Sequence, residues 1–210
     1  MIEELIKYLP AITPGCLFLI GILGQPPEWV KPKRRARRIW AQTHLIAASL
    51  TLVVAAAFTL HPWYSNNPTA LTGLVLTIYM LTQTSQTDIA FRKASETHMM
   101  HAWGLFIVTA CIFQQTTVVT ASIAALVVTA ITRRWWSGDA TALCVALSCA
   151  TPITTAHPET FVANMAAIGS VIVCAIITAI YKSSKKAIRV PLIPFVITPF
   201  TLLPLVYFFT

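Results

Sequence analysis

The sequence predicts an all-α polytopic membrane protein of about eight transmembrane helices, and three observations carry that expectation. Hydrophobic residues make up 56% of the chain and charged residues only 10%. The mean hydropathy of +0.71 is well above that of a water-soluble domain. The basic residues sit in clusters between long apolar runs. The first two observations rule out a soluble globular enzyme. A net charge of +8 would otherwise suggest a nucleic-acid partner, but that reading needs a basic face on a soluble scaffold, so none is expected.

A bilayer core of about 30 Å takes roughly 20 apolar helical residues. On that ruler the chain divides into spans near 5–24, 40–60, 69–87, 99–113, 118–132, 140–156, 160–181 and 190–209. The first span is expected to stay, because the N-terminus begins Met-Ile-Glu-Glu-Leu, acidic where a secretory signal is basic, with no clear cleavage site after it. Between the fourth and fifth spans the uncharged break Gln114-Gln115-Thr116-Thr117 decides the topology. If residues 99–132 were one helix, Arg92-Lys93 and Arg133-Arg134 would face opposite sides, which the positive-inside rule disfavours. With eight spans, fourteen of the fifteen Lys and Arg residues collect on one face, leaving only Lys7. The loops of the opposite face, around 61–68 and 152–159, have no Lys or Arg. Both termini are therefore expected outside and the basic loops in the cytoplasm, with residues 31–38 an anchor for anionic lipid. The division is a first helix with its basic loop, 1–39, and a membrane-embedded domain, 40–210. Trp29, Trp40, Trp63, Trp103, Trp135 and Trp136 lie mostly near span ends, where an interfacial belt is expected. The five cysteines fall in apolar runs without a C-x-x-C pair, so they are expected to be small hydrophobes.

Acids are scarce, and the only two aspartates are Asp88, ending the third span, and Asp139, opening the sixth. The topology that sorts the basic residues brings both to the cytoplasmic edge. Two carboxylates in a partly dry site tend to share one proton, so that one activates water while the other protonates a carbonyl. Such a pair hydrolyses amides without a metal. The helix dipole favours negative charge at the start of the sixth span and not at the end of the third, which makes Asp139 the more acidic partner; a helix continuing from Asp88 through Arg92 shrinks this asymmetry and leaves only a shared titration. The structural alternatives are an N-cap role for Asp139 after Ser137-Gly138 and a helical-spacing pair between Asp88 and Arg92.

These residues resemble the type IV prepilin peptidase and preflagellin peptidase family, membrane aspartic proteases of the GxGD type, in the short form without an N-terminal methyltransferase region. Three stretches carry the resemblance over roughly residues 40–210. Thr87-Asp88-Ile89, continuing to Ser95-Glu96, is similar to the family pattern around the first catalytic aspartate. Trp136-Ser137-Gly138-Asp139 stands where the family has G-x-G-D. Pro191 and Pro194, in Val190-Pro191-Leu192-Ile193-Pro194-Phe195, resemble its terminal element. Three departures stand out: Trp136 replaces the first motif glycine, Ala140-Thr141-Ala142 lacks the frequent basic residue, and Ser95-Glu96 replaces Pro-Asn. The resemblance implies catalytic Asp88 and Asp139, supported by Thr87, Ser137, Gly138, Pro191 and Pro194. It implies peptidase activity without methyltransferase activity, a pilin-like or flagellin-like precursor cut in its cytoplasmic leader after a glycine, and a bacterial or archaeal cytoplasmic membrane.

Other membrane chemistries are less well supported. No H-E-x-x-H occurs, and Trp135-Trp136-Ser137-Gly138 lacks the leading glycine of a rhomboid-type serine motif. Presenilin-like enzymes hold their aspartates on consecutive spans, whereas two spans intervene here. His98 and His101 beside Glu96 have ligand spacing, but without a third ligand no metal and no cofactor is expected. The remaining alternatives are an inactive relative acting as a membrane scaffold, and a small transporter using the aspartates for ion coupling.

Overall fold

The structure is a computed structural model that describes residues 8–24, 26–30, 34–91, 93–132 and 137–156, of which 132 and 137–140 are described by their backbone alone. The described residues are all-α: α1 (Leu9–Leu23), α2 (Arg34–Thr59), the one-turn α3 (Pro62–Ser65), α4 (Pro68–Phe91), α5 (Glu96–Ile112), α6 (Thr116–Thr132) and α7 (Ser137–Ala156). The six long helices fall on the first six predicted spans. Spans 160–181 and 190–209, with Pro191 and Pro194, lie outside the described residues. One helix, α2, is long and apolar enough to cross a membrane by length and composition, while α1, α6 and Thr141–Ala156 are apolar but shorter.

Local chemistry explains the boundaries. Pro10, Pro62 and Pro68 sit in the first turns of α1, α3 and α4, where proline's missing N–H costs nothing. Ser95 caps α5 by accepting from the His98 N–H at 3.3 Å, with Glu96 in the first turn. The break between α5 and α6 is a left-handed C-cap. Gln114 adopts φ 53° and the Gln115 N–H reaches back to the Ala110 carbonyl at 2.9 Å.

Two expectations change. α2 begins at Arg34, so exposed Arg34, Arg35, Arg37 and Arg38 form its first turns and not a loop. Arginine propagates a helix nearly as well as alanine, and the buried positions Ala36 and Trp40 between them set the face. Trp40 is a core residue and not a belt anchor: it is buried and its Nε1 donates to the Gly21 carbonyl at 2.9 Å. Trp103 likewise donates to Ser148 Oγ at 3.2 Å.

α4 is the axis of the bundle. Every residue from Thr69 to Met80 is buried, because α1, α2, α5 and α7 all pack against it. The surrounding helices have inverted faces. α2 turns Ala36, Thr43, His44, Ala47, Ala48, Thr51 and Ala55 inward, and exposes Leu45, Ile46, Leu50, Leu52 and Val53. α6 turns Ser122 and Thr129 inward and exposes Ile123, Val127, Val128 and Ile131.

Close approach of α4 and α7 rests on Gly73, where a Cβ would overlap the Cys149 carbonyl, a backbone atom that cannot swing aside. Gly73→Ala is expected to destabilise the protein by about 1–3 kcal/mol through overpacking. Gln114→Gly should stabilise it by about 1 kcal/mol by relieving a left-handed non-glycine residue. Thermal unfolding of both variants in detergent checks the opposite signs.

Candidate functional site

α4 and α7 run antiparallel. Cys149 meets α4 at Gly73 and Thr77, to whose side chain its thiol is hydrogen-bonded. On one side of this contact, Ile153 shares a cluster with Ala70, Leu71 and Leu74; on the other, Ala142, Val145 and Ala146 share one with Leu76, Tyr79 and Met80. Direction and register follow together. Asp88 is 11 residues beyond Thr77, and Asp139 is 10 residues before Cys149. At 1.5 Å per residue, these are rises of about 16 Å and about 15 Å toward the same end.

The faces agree as well. Ala142, Ala146, Cys149 and Ile153 form the buried stripe of α7, with spacings of four, three and four, and Asp139 occupies the next register position, three earlier. Along α4, Gly73, Thr77, Thr84 and Asp88 recur at spacings of four, seven and four. The two helices therefore bring both aspartate positions to one end of their shared seam. Asp139 is the third residue of α7, inside its first turn behind Ser137 and Gly138, and is not an N-cap. Asp88 lies in the last turn of α4, which continues to Phe91. Its suggested partner Arg92 lies outside the described residues.

The end of α4 is a buried polar stretch. Gln83, Thr84, Ser85, Thr87 and Asp88 are all buried, Asp88 at 9% exposure. Thr87 Oγ1 donates to the Thr84 carbonyl at 2.9 Å, and Thr84 Oγ1 to Gln83 Oε1 at 3.0 Å. Gln83 Nε2 and Ser85 Oγ have no hydrogen-bond partner among the described residues. Groups of this kind are commonly satisfied by ordered water.

One to two turns deeper lies a junction that sequence reasoning missed. His44 of α2 is fully buried, and its Nδ1 is 2.7 Å from the Tyr79 hydroxyl of α4. The His98 ring of α5 stands edge-on to His44 with centroids 4.5 Å apart, and Trp40 closes the other side at 4.5 Å. Gly21 of α1 makes the space: a Cβ there would overlap the His44 ring. Nε2 of both histidines has no protein partner among the described residues. His98 thus turns into the bundle, whereas His101 is exposed, and the two do not form the paired ligand set that their spacing suggested. Among the described residues, no group of three or more His, Cys, Asp or Glu is arranged to hold a metal. A signal existed in the sequence, since Tyr79 and His44 are ionisable residues within apolar runs. Their pairing across 35 residues had none.

No family model, no curated protein and no solved structure matches the chain.

Tyr79→Phe removes the hydroxyl and leaves His44 Nδ1 unpaired in the interior. It is expected to cost about 1–3 kcal/mol, and Gly21→Ala should also destabilise the junction by crowding His44. Denaturation midpoints of the purified variants, compared with an exposed control such as Thr97→Ala, check both.

Proposed function

We propose that the protein is a membrane aspartic endopeptidase that cleaves the cytoplasmic leader of pilin-like precursors, with Asp88 and Asp139 as its acid and base. The observation that carries this reading is the register of α4 against α7. The only two aspartates of the sequence occupy positions toward the same end of a single helix seam. The resemblance of Thr87-Asp88-Ile89 and Ser137-Gly138-Asp139 to the GxGD peptidases supports it independently, although Trp136 replaces the first motif glycine.

The inverted faces support a bilayer setting. Val53 and Ile131 are 67% and 64% exposed, and similar residues cover α1, α2, α5 and α6. Soluble monomers rarely expose contiguous apolar surface on this scale. Interiors lined by Ala, Gly, Ser and Thr are the usual seams of membrane bundles. In this reading the lipid bilayer is the first partner, and the exposed arginines at the start of α2 lie at the cytoplasmic face.

The chemistry follows from one shared proton. Asp139 stands in the first turn of α7, where the helix dipole favours negative charge, so it takes the base role. It removes a proton from water as the water oxygen attacks the scissile carbonyl. Asp88, at the C-terminal turn of α4, gives its proton to the carbonyl oxygen, producing a gem-diol. Collapse of the gem-diol breaks the C–N bond: one hydroxyl returns its proton to Asp88 as the new carboxyl group forms, and the amine leaves with the proton from Asp139. The dyad returns to its singly protonated state. The polar stretch Gln83 to Asp88 suits the water this requires.

Co-expression with a panel of pilin-like precursors tests the proposal. Wild type should shorten at least one precursor, and Asp88→Asn and Asp139→Asn should each lower cleavage by about 10²–10⁴-fold while inserting normally. Cleavage that survives either substitution removes the dyad, and a folded wild type that cuts nothing favours a scaffold.

A further inference from the structure

The exposed face of α2 changes character along its length. Arg34, Arg38, Ala41, Leu45, Ser49 and Leu52 follow one another at spacings of four, three, four, four and three, so they stack along one side of the helix. All six are exposed, and so are Arg35, Ile46, Leu50 and Val53 beside them. The face therefore carries guanidinium groups at one end and an apolar track below them. Leu52 lies 14 residues after Arg38, a rise of about 21 Å, and one leaflet with its headgroups is roughly 20–22 Å deep.

Helix stability does not account for the arginines. The N-terminal end of a helix dipole repels positive charge, and the first turn of α2 has no acid to offset it. Arg34, Arg35 and Arg38 make no ion pair among the described residues, and the exposed Glu28, six residues before Arg34, is not paired with them. Nor does an apolar outer face require such a cap. α1 exposes Ile12, Leu19, Ile22 and Leu23 and has no basic residue in its last turn.

Guanidinium and hydrocarbon together select the occupant. Two arginines one helical turn apart hold phosphate oxygens through forked N–H donors, which an ammonium cannot reproduce. A free phosphate uses the charged end alone and leaves the apolar track unused. A parallel second copy of the chain brings the same arginines and is repelled. Charge and length both fit a phospholipid with an anionic headgroup.

We propose that this face binds an anionic phospholipid, its phosphate held by Arg34 and Arg38 with Arg35 beside them, and its acyl chains along Leu45, Ile46, Leu50 and Leu52. The inference rests on the bilayer setting proposed above and is independent of the aspartate dyad. It goes further than a charge anchor: any cation orients a helix, whereas a site distinguishes arginine from lysine and one lipid from another.

Photolabelling in phosphatidylcholine vesicles tests it. Two trace probes carry the same diazirine-bearing acyl chain, one on phosphatidylglycerol and one on phosphatidylcholine, in both leaflets so that the direction of insertion is immaterial. The wild-type segment 45–53 should take about fivefold more label from the anionic probe than from the zwitterionic one, while α1 takes the two equally. Arg34→Gln with Arg38→Gln should bring the α2 ratio to about one, and Arg34→Lys with Arg38→Lys, which keeps the charge, should lower it about threefold. A wild-type ratio near one overturns the inference. So does a lysine pair equal to wild type, because charge alone then suffices. Suppression of the α2 label by excess glycerol 3-phosphate assigns the arginines to a free phosphate ligand and overturns it too. If neither probe labels α1 or α2, the bilayer setting itself falls. Labelling of α1 with no preference on α2 removes the lipid site alone and leaves the peptidase reading untouched.

Discussion

The enclosure of α4 is the constraint on which the rest of the bundle depends. A helix buried on every side over Thr69–Met80 has to be met by neighbours at several distances, and its side chains set each one. Gly73 draws α7 in until the Cys149 carbonyl touches the helix, while Tyr79 holds α2 off by the length of a phenol and an imidazole. Because α4 is sandwiched in this way, its last turns are carried into the interior whatever their polarity. Gln83, Thr84, Ser85, Thr87 and Asp88 are buried by the position of the helix and not by their own chemistry. A buried polar stretch at one end follows from the same geometry that makes the other end an apolar core of Ala70, Leu71, Leu74 and Val75.

Burying so many hydroxyls is costly only if they must find partners across a seam. Here they do not. Thr51 donates to Ala47, Thr72 to Pro68, Thr77 to Gly73, Thr109 to Leu105 and Ser148 to Cys144, each returning to the carbonyl one turn back in its own helix. Threonine at these positions therefore serves as a small, self-satisfied residue, and α2 and α6 approach their neighbours largely over Ala, Ser and Thr while most of their Leu, Ile and Val point away. In the proposed bilayer setting there is no hydrophobic force to gain between helices, and close packing with a few shared hydrogen bonds has to suffice. His44 with Tyr79, Trp40 with Gly21 and Trp103 with Ser148 are such shared bonds.

Helix positions were legible in the sequence because apolar run length and basic punctuation both mark them. Even the subtle break after α5 was signalled by Gln114-Gln115, where the backbone turns left-handed. Arg34–Arg38 misled because charge suggests a loop, while helix propagation needs only tolerant side chains and the packing of Ala36 and Trp40. Tryptophan misled similarly: position near a span end suggested a lipid belt, but Trp40 finds its partner in Gly21, 19 residues earlier, and nothing local announces that. The aspartates stood out in the sequence by rarity and by their places at the ends of predicted spans. The facing stripes of α4 and α7 did not, because register is fixed by Gly73 against Cys149, a contact between helices 76 residues apart.

The same end of the bundle gathers opposite charges for different reasons. Arg34, Arg35, Arg37 and Arg38 are exposed, where solvent screens them, whereas Asp88 is buried. Screening weakens exposed charges over a Debye length of about 8 Å at physiological salt, but acts far less on a buried group. In the proposed membrane peptidase the arginines thus set orientation and the long-range field, while local helix ends govern the carboxylates. A dyad needs one charge and one proton, and in the proposed peptidase the opposed dipoles of α4 and α7 supply that asymmetry: Asp88 closes one helix and Asp139 opens the other. Antiparallel packing is therefore more than a way of bringing two acids to one depth. In the proposed peptidase it also makes chemically identical side chains unequal, as the proposed acid and base roles demand.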